Sequence, residues 1–296
     1  RRRSHRHAGH TREGLAHDPC CFRLIERRGG HVMYDFTYHR PTSVSAATDA
    51  LTKAGDGKPL AGGMSLIPTL KLRLAKLTDL VDLAAIADLK GVKKEKNAIV
   101  IGAMTTHADV AASKEVNGAI PALAVLANGI GDAQVRNRGT LGGSLAHADP
   151  AADYPAAIVG LGATVHTDKR QIAGDDFFTR MFETVLEDGE IITAVSFPIP
   201  ERAGYAKFPN PASRYPIVGV MVSSGTSGIR VAVTGAGASV FRVPEMEKAL
   251  ASNFAPVALD GLTVAADGLN TDLHASAEYR AHLVTVMAKR AVVTAR

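Results

Sequence analysis

Apolar and polar residues alternate with two different periods along the chain, and the changes of period divide it into elements. Tyr34–Pro41 is a short extended run stopped by proline. Val44, Ala47, Leu51 and Ala54 then recur at helical spacing behind Ser43, a residue suited to cap a helix. Gly55–Lys58 predicts a turn, Pro59–Ala61 the end of a short strand, and Leu66–Leu74 a helix with Pro68 in its first turn. Leu77–Leu83 returns as a strand, so this stretch predicts a small α/β unit.

Farther on, residues 89–103 predict two strands joined by a charged turn, and Thr106–Ala112 and Ile120–Asn128 predict helices. Val135–Leu145 is glycine-rich and reads as irregular. Asp153–Leu161 predicts a helix or a buried segment, Ala163–Thr167 a strand, and Ile191–Phe197 an alternating antiparallel strand ending at Pro198. Pro198–Pro211 is rich in proline, glycine and charge and offers the best internal boundary. A hairpin follows over Ile217–Ser223 and Gly228–Gly235, turning at Gly225–Gly228. Two helices close the chain, Pro244–Ser252 and Glu278–Thr294; in the second, Tyr279, Leu283, Val286, Met287 and Arg290 fall three or four apart.

A length of 296 residues suits about two domains. No apolar run approaches the ~18 residues of a membrane-spanning helix. The net charge of +5 hides a split. Residues 1–32 hold eight arginines and three acids, so residues 33–296 carry 26 bases and 26 acids and are formally neutral. A neutral body argues against extensive phosphate-backbone binding, hence against a nucleic-acid partner. Both cysteines, Cys20 and Cys21, lie in the basic segment, which excludes disulfides and cysteine-ligated clusters from the body. Residues 1–32 show neither period nor the apolar core of a secretory signal. The plain reading is a disordered extension, such as an upstream start codon would add, with Met33 opening the domain; the rival is an arginine-rich arm that binds nucleic acid or a membrane.

Three segments carry candidate chemistry. Leu60-Ala61-Gly62-Gly63-Met64-Ser65-Leu66 lies between a strand and a helix, where glycines admit close backbone approach and successive N–H groups suit a phosphate or pyrophosphate. Arg138-Gly139-Thr140-Leu141-Gly142-Gly143-Ser144 repeats the glycine pair followed by serine, and two such loops can grip a diphosphate from both sides. Asp149–Pro155 offers a carboxylate, Asp153, to ribose or ribityl hydroxyls. The competing reading is a plain turn for each loop and a solvated helix cap for the carboxylate. There is no Walker P-loop, no complete G-x-G-x-x-G, no nucleophile elbow and no H-E-x-x-H. His107, His147 and His166 are scattered and read as structural or surface histidines.

Together these segments resemble the FAD-binding medium subunit of the molybdenum hydroxylases, the family of aerobic carbon monoxide dehydrogenase and xanthine dehydrogenase. The resemblance rests on Tyr38–Pro41, Ala61–Pro68, Lys71–Leu74, Ile101–His107, Val135–Ser144 and Asp149–Pro155. It continues through Lys207-Phe208, Ser213–Tyr215, Phe241–Pro244 and Ala277–Leu283, so it spans about residues 33–296. The carbon monoxide dehydrogenase type agrees best in length and C-terminal segment.

The resemblance implies an α+β fold. A vanillyl-alcohol-oxidase-type (PCMH) FAD-binding domain of two α/β subdomains would occupy residues 33–203, with FAD between them. A small α+β C-terminal domain would follow over 204–296. Non-covalent FAD would be held by Leu60, Ala61, Gly62, Gly63, Met64, Ser65 and Leu66, and by Thr140, Leu141, Gly142, Gly143 and Ser144. Ile130 and Ile192 would supply apolar contacts, Asp153 the acidic contact, and Lys207 a lysine near the isoalloxazine, with Tyr215 an aromatic close to the ring. Met64 stands where many relatives have His or Asn, and Ser144 replaces a common Asn.

The implied partners are a large subunit with the molybdenum cofactor and a small subunit with two [2Fe–2S] clusters, in a dimer of heterotrimers. Electrons would pass through FAD to quinone, NAD or oxygen. The setting would be cytoplasmic, including the inner face of the membrane. Rival functions are the FAD subunit of a xanthine, aldehyde or N-heterocycle dehydrogenase, a self-contained flavin oxidase, and a nucleic-acid-binding protein acting through its basic arm.

Overall fold

The computed structural model of the chain describes residues 33–226 and 228–296; the readings made on residues 1–32 lie outside them. The first unit is β1 (Thr37–His39), α1 (Val44–Lys53), β2 (Gly57–Leu60), α2 (Leu66–Lys71) and β3 (Asp79–Asp82), a parallel sheet in the order β1-β3-β2. Ser43 caps α1 as its sequence position suggests, its Oγ accepting from the Ala46 N–H at 3.2 Å. Helix α2 stops at Lys71, three residues early, because the chain reverses through Arg73 at a left-handed φ of 56°. Strand β2 begins at Gly57, inside the expected turn.

The second unit opens with β4 (Val92–Glu95) and β5 (Ala98–Gly102). A helical run follows: α3 (His107–Ala112), α4 (Lys114–Ala119), α5 (Pro121–Asn128), α6 (Ala133–Arg138), α7 (Leu141–His147) and α8 (Tyr154–Gly160). It closes with β6 (Thr164–Thr167), β7 (Gln171–Ala173), α9 (Gly174–Phe177), a small hairpin of β8 (Phe178–Arg180) and β9 (Glu183–Thr184), and β10 (Ile192–Pro198). The main sheet runs β4-β5-β10-β6-β7. Strand β10 is antiparallel to both neighbours, so Val195 faces Ile101 on one side and Val165 on the other, and all three are fully buried. The irregular reading of Val135–Leu145 is corrected. That stretch holds two short helices, started by side-chain caps: Asp132 Oδ1 accepts from Val135 N at 2.8 Å, and Thr140 Oγ1 accepts from Gly143 N at 3.1 Å.

The third unit is an antiparallel sheet of β11 (Arg202–Pro209), β12 (Pro216–Gly225), β13 (Gly228–Thr234) and β14 (Phe241–Arg242), with α10 (Pro244–Ser252) and α11 (Ala277–Thr294). Most of the segment read as a boundary is therefore strand β11, and the change of sheet falls between Pro198 and Arg202. Strand β12 is buried on both faces. Val218, Val220 and Val222 join the core under α10 and α11. Met221 joins the core of the second unit, and Ser223 Oγ donates to the Gly160 carbonyl at 2.6 Å. Leu283 and Met287 of the expected stripe on α11 are buried and Val286 packs half-buried beside them, but the inward face is wider, taking in Arg280, Ala281, Val284, Ala288 and Ala291, while Tyr279 and Arg290 are exposed. Arg280 reads as polar, but its guanidinium donates to the Ile217 and Gly235 carbonyls and to Asp272, which makes it a buried tie.

Candidate functional site

The two glycine loops, 77 residues apart from Gly62 to Gly139 by the numbering, meet backbone to backbone. Strand β2 delivers the first loop past its C-terminal end. A β-carbon on Gly62 would lie 2.1 Å from the Arg138 carbonyl oxygen and 2.8 Å from the Gly139 Cα. A β-carbon on Gly143 would lie 3.1 Å from the Ala61 Cβ. At these two glycines the missing side chain serves the contact between loops, a use beyond the ligand approach inferred from sequence. Gly63 turns the first loop at a left-handed φ of 74°.

The loops differ in what they can offer a ligand. The N–H groups of Gly62, Gly63, Met64, Ser65 and Leu66 have no acceptor among the described residues. The Ser65 hydroxyl makes no cap bond to α2. Five successive backbone donors in a half-buried turn form a nest suited to phosphate oxygens. In the second loop the donors are already engaged: Leu141 N to Thr105 O, Gly142 N to Ala103 O, Gly143 N to Thr140 Oγ1, and Ser144 N to Thr140 O. Thr140 and Leu141 are buried, and Ser144 is half-buried with its hydroxyl uncommitted. The first loop thus supplies backbone N–H groups, and the second supplies hydroxyls and a rigid wall.

The remaining candidates form a second cluster. Asp153, the N-cap position of α8, makes no cap bond. It is fully buried, accepts from the Tyr205 hydroxyl at 2.6 Å, and pairs with Lys207 Nζ at 2.9 Å. Burial pushes its carboxyl above the ordinary aspartate value, while Lys207 and Tyr205 pull it back. Lys207 Nζ also donates to the Gly129 carbonyl at 2.8 Å and the Arg214 carbonyl at 2.9 Å. The ammonium therefore has three acceptors inside the protein, and the carboxylate is neither a solvated cap nor open to a ribose. Together they bind β11 to the ends of α5 and α8. Tyr205 and Gly129 were not legible as members of this cluster, since one is a strand residue in an apolar setting and the other acts through its carbonyl.

Ile130 follows Gly129, is half-buried, and its carbonyl accepts from Arg136 Nη1 at 2.9 Å. Ile192 is 5% exposed on β10 and belongs to the core of the second unit. Tyr215 is exposed beyond β11, its hydroxyl pushed up by partial burial and the carboxylates of Asp149 and Asp153. His166 pairs with Ser196 inside the sheet, and His147 stacks on Phe182. No group of three or more metal-ligating side chains occurs among the described residues, and none of their helices is long and apolar enough to cross a membrane.

Residues 34–200 match the family described as FAD binding domain in molybdopterin dehydrogenase. The chain belongs to this family. It is 36% identical over 272 residues to the nicotine 6-hydroxylase medium subunit of Paenarthrobacter nicotinovorans, covering 87% of this chain and 96% of that protein. It is also 36% identical over 278 residues to the carbon monoxide dehydrogenase medium chain of Afipia carboxidovorans, with coverages of 88% and 96%. The fold matches a solved carbon monoxide dehydrogenase from Hydrogenophaga pseudoflava with a TM-score of 0.80 at 33% identity, covering 89% of this chain and 98% of that one. As a molybdenum hydroxylase medium subunit, the chain is an FAD-binding oxidoreductase component. The unpaired N–H row of the first loop, packed against the second loop at Gly62 and Gly139, suits the diphosphate of that cofactor.

Proposed function

We propose that this chain is the FAD-carrying electron-transfer subunit of a heterotrimeric molybdenum hydroxylase. The observation that carries the proposal is the junction of the two glycine loops, where five unpaired N–H groups meet an already saturated loop. Residues 62–66 hold the diphosphate through backbone N–H groups, with Leu60 and Ala61 flanking, and Thr140 and Ser144 orient it and the ribityl chain through hydroxyls. Leu141, Gly142 and Gly143 form the wall, and Met64 adds an exposed apolar cover. Ile130 and Ile192 back the ring systems. Asp153 and Lys207 act by fixing β11 against the ends of α5 and α8. FAD, when bound, would supply the redox chemistry between [2Fe–2S] clusters of a partner subunit and an external acceptor such as quinone, NAD or oxygen. No side chain here need act as nucleophile or general base.

In this reading the FAD-binding domain begins at residue 33 and gives way to the C-terminal domain at the change of sheet between Pro198 and Arg202, rather than within β11 at 203–204 as the resemblance implies, and an extension over 1–32 precedes both. The partners are a large molybdenum-cofactor subunit and a small iron–sulfur subunit, in a dimer of heterotrimers in the cytoplasm or at the inner face of the membrane. The body is cysteine-free, so cluster ligands must come from elsewhere. The assembly is of the carbon monoxide dehydrogenase type in overall form. Equal identities to the nicotine and carbon monoxide relatives leave the substrate to the large subunit. Purification from the native source tests this. Flavin, molybdenum and iron travelling with the chain support it; a flavin-loaded chain without partners that reduces its own flavin with a small substrate would favour a self-contained oxidase.

A further inference from the structure

One buried histidine stands behind the loop junction without a task. His107 opens α3, and its N–H donates to the Gly139 carbonyl at 3.0 Å. A β-carbon on Gly139 would lie 2.6 Å from His107 Nε2 and 2.9 Å from its Cδ2. The imidazole edge therefore rests on the same Gly139 Cα that the first loop approaches through Gly62. The ring also packs against Tyr154, centroids 5.4 Å apart, beside Asp153. His107 Nδ1 and Tyr154 Oη are buried with no hydrogen-bond partner among the described residues. The ring thus works here by shape and by the absence of charge, at the point where the two loops are held at a fixed distance.

We propose that His107 is a positioning residue for the flavin, its uncharged imidazole fixing the separation of the two glycine loops. The inference rests on the FAD reading above. A charged imidazole would be out of place at this position. Burial, reinforced by Arg136, holds the group down to about 4. Of the neighbouring elements, α6 carries Arg136 and Arg138, α4 carries Lys114 and Glu115, and α8 begins at Asp153-Tyr154. Helix α5 carries no titratable side chain, and Asp109 on α3 itself is hydrogen-bonded to Thr106. No carboxylate among the described residues partners the ring, so a proton there would be unpaired and would push the loops apart.

The test titrates FAD into the flavin-free full chain and follows quenching of flavin fluorescence. His107→Ala is expected to weaken FAD binding by about tenfold or more, and His107→Phe, which keeps a neutral ring, to stay within about threefold of the parent. The parent is expected to release FAD as pH falls towards 4, and His107→Phe to retain it at the same pH. Unchanged binding by His107→Ala, or a His107→Phe that fails as badly as His107→Ala, overturns the inference while leaving the FAD reading intact. Should His107→Ala not fold by circular dichroism, the acid release of the parent against His107→Phe decides, and identical profiles overturn it. A parent chain that binds no FAD overturns the functional reading itself, and this inference with it.

Discussion

A β-carbon on Gly62 would lie 2.1 Å from the carbonyl oxygen of Arg138, so these two residues set how closely the two halves of the candidate cofactor site approach. Neither atom belongs to a recognition side chain. The site is built from main chain that only glycine permits, and small changes in loop separation are expected to act on cofactor binding directly.

Gly62→Ala is the most economical probe of that contact. The added methyl has no room without moving the Arg138–Gly139 backbone, a strain of about 1–3 kcal/mol. FAD affinity is expected to fall by about tenfold or more, since about 1.4 kcal/mol equals a factor of ten. Fluorescence titration of the flavin-free chain measures it, and a Gly62→Ala chain with parental affinity would show that the loops do not constrain each other.

The buried Lys207–Asp153 pair makes a separate prediction. Lys207→Met strands a carboxylate that is fully buried, and Asp153→Asn strands an ammonium. Removing one partner of such a pair typically costs about 3–5 kcal/mol. Denaturant unfolding is expected to show a loss of that order for each single variant, and a double variant less destabilised than the two losses added together. Additive losses would show that the 2.9 Å contact carries no coupling.

The chain should also lose stability on mild acidification through His107. Its folded-state value of about 4 lies below the ordinary 6.5, so the unfolded chain binds the extra proton between those limits. Stability contributed by the neutral ring is full above pH 6.5 and declines as pH falls to about 4, by roughly 3 kcal/mol. Asp153, raised by burial, titrates in the opposite sense, so the informative quantity is the difference between the parent and His107→Phe across this range. Parallel pH curves for the two chains would contradict the assignment.

Local signals carried much of the architecture. Ser43 before α1, the alternation into Pro198, and the Gly225–Gly228 turn each name their element, because caps, pleats and tight turns depend on neighbours in the chain. Where long-range packing decides, the sequence misleads. Gly139, Gly142 and Gly143 suggest an irregular loop, yet the caps at Asp132 and Thr140 start helices there, and the glycines are needed for contacts with residues 61–107. Both candidate loops are legible as glycine pairs. That the first offers its N–H groups while the second has used its own depends on Ala103 and Thr105, about 40 residues upstream in the numbering. Asp153 reads as a cap and is instead a buried partner of Tyr205 and Lys207, a relation between elements that no local pattern encodes.

Non-covalent FAD is expected to sit between the glycine loops of this chain. The most direct measurement is the visible absorption spectrum of the full chain after incubation with FAD and removal of excess by gel filtration, repeated after denaturation. One flavin per chain is expected, released into the supernatant on denaturation. A chain that folds and retains no flavin, or one whose flavin stays attached after denaturation, would contradict it.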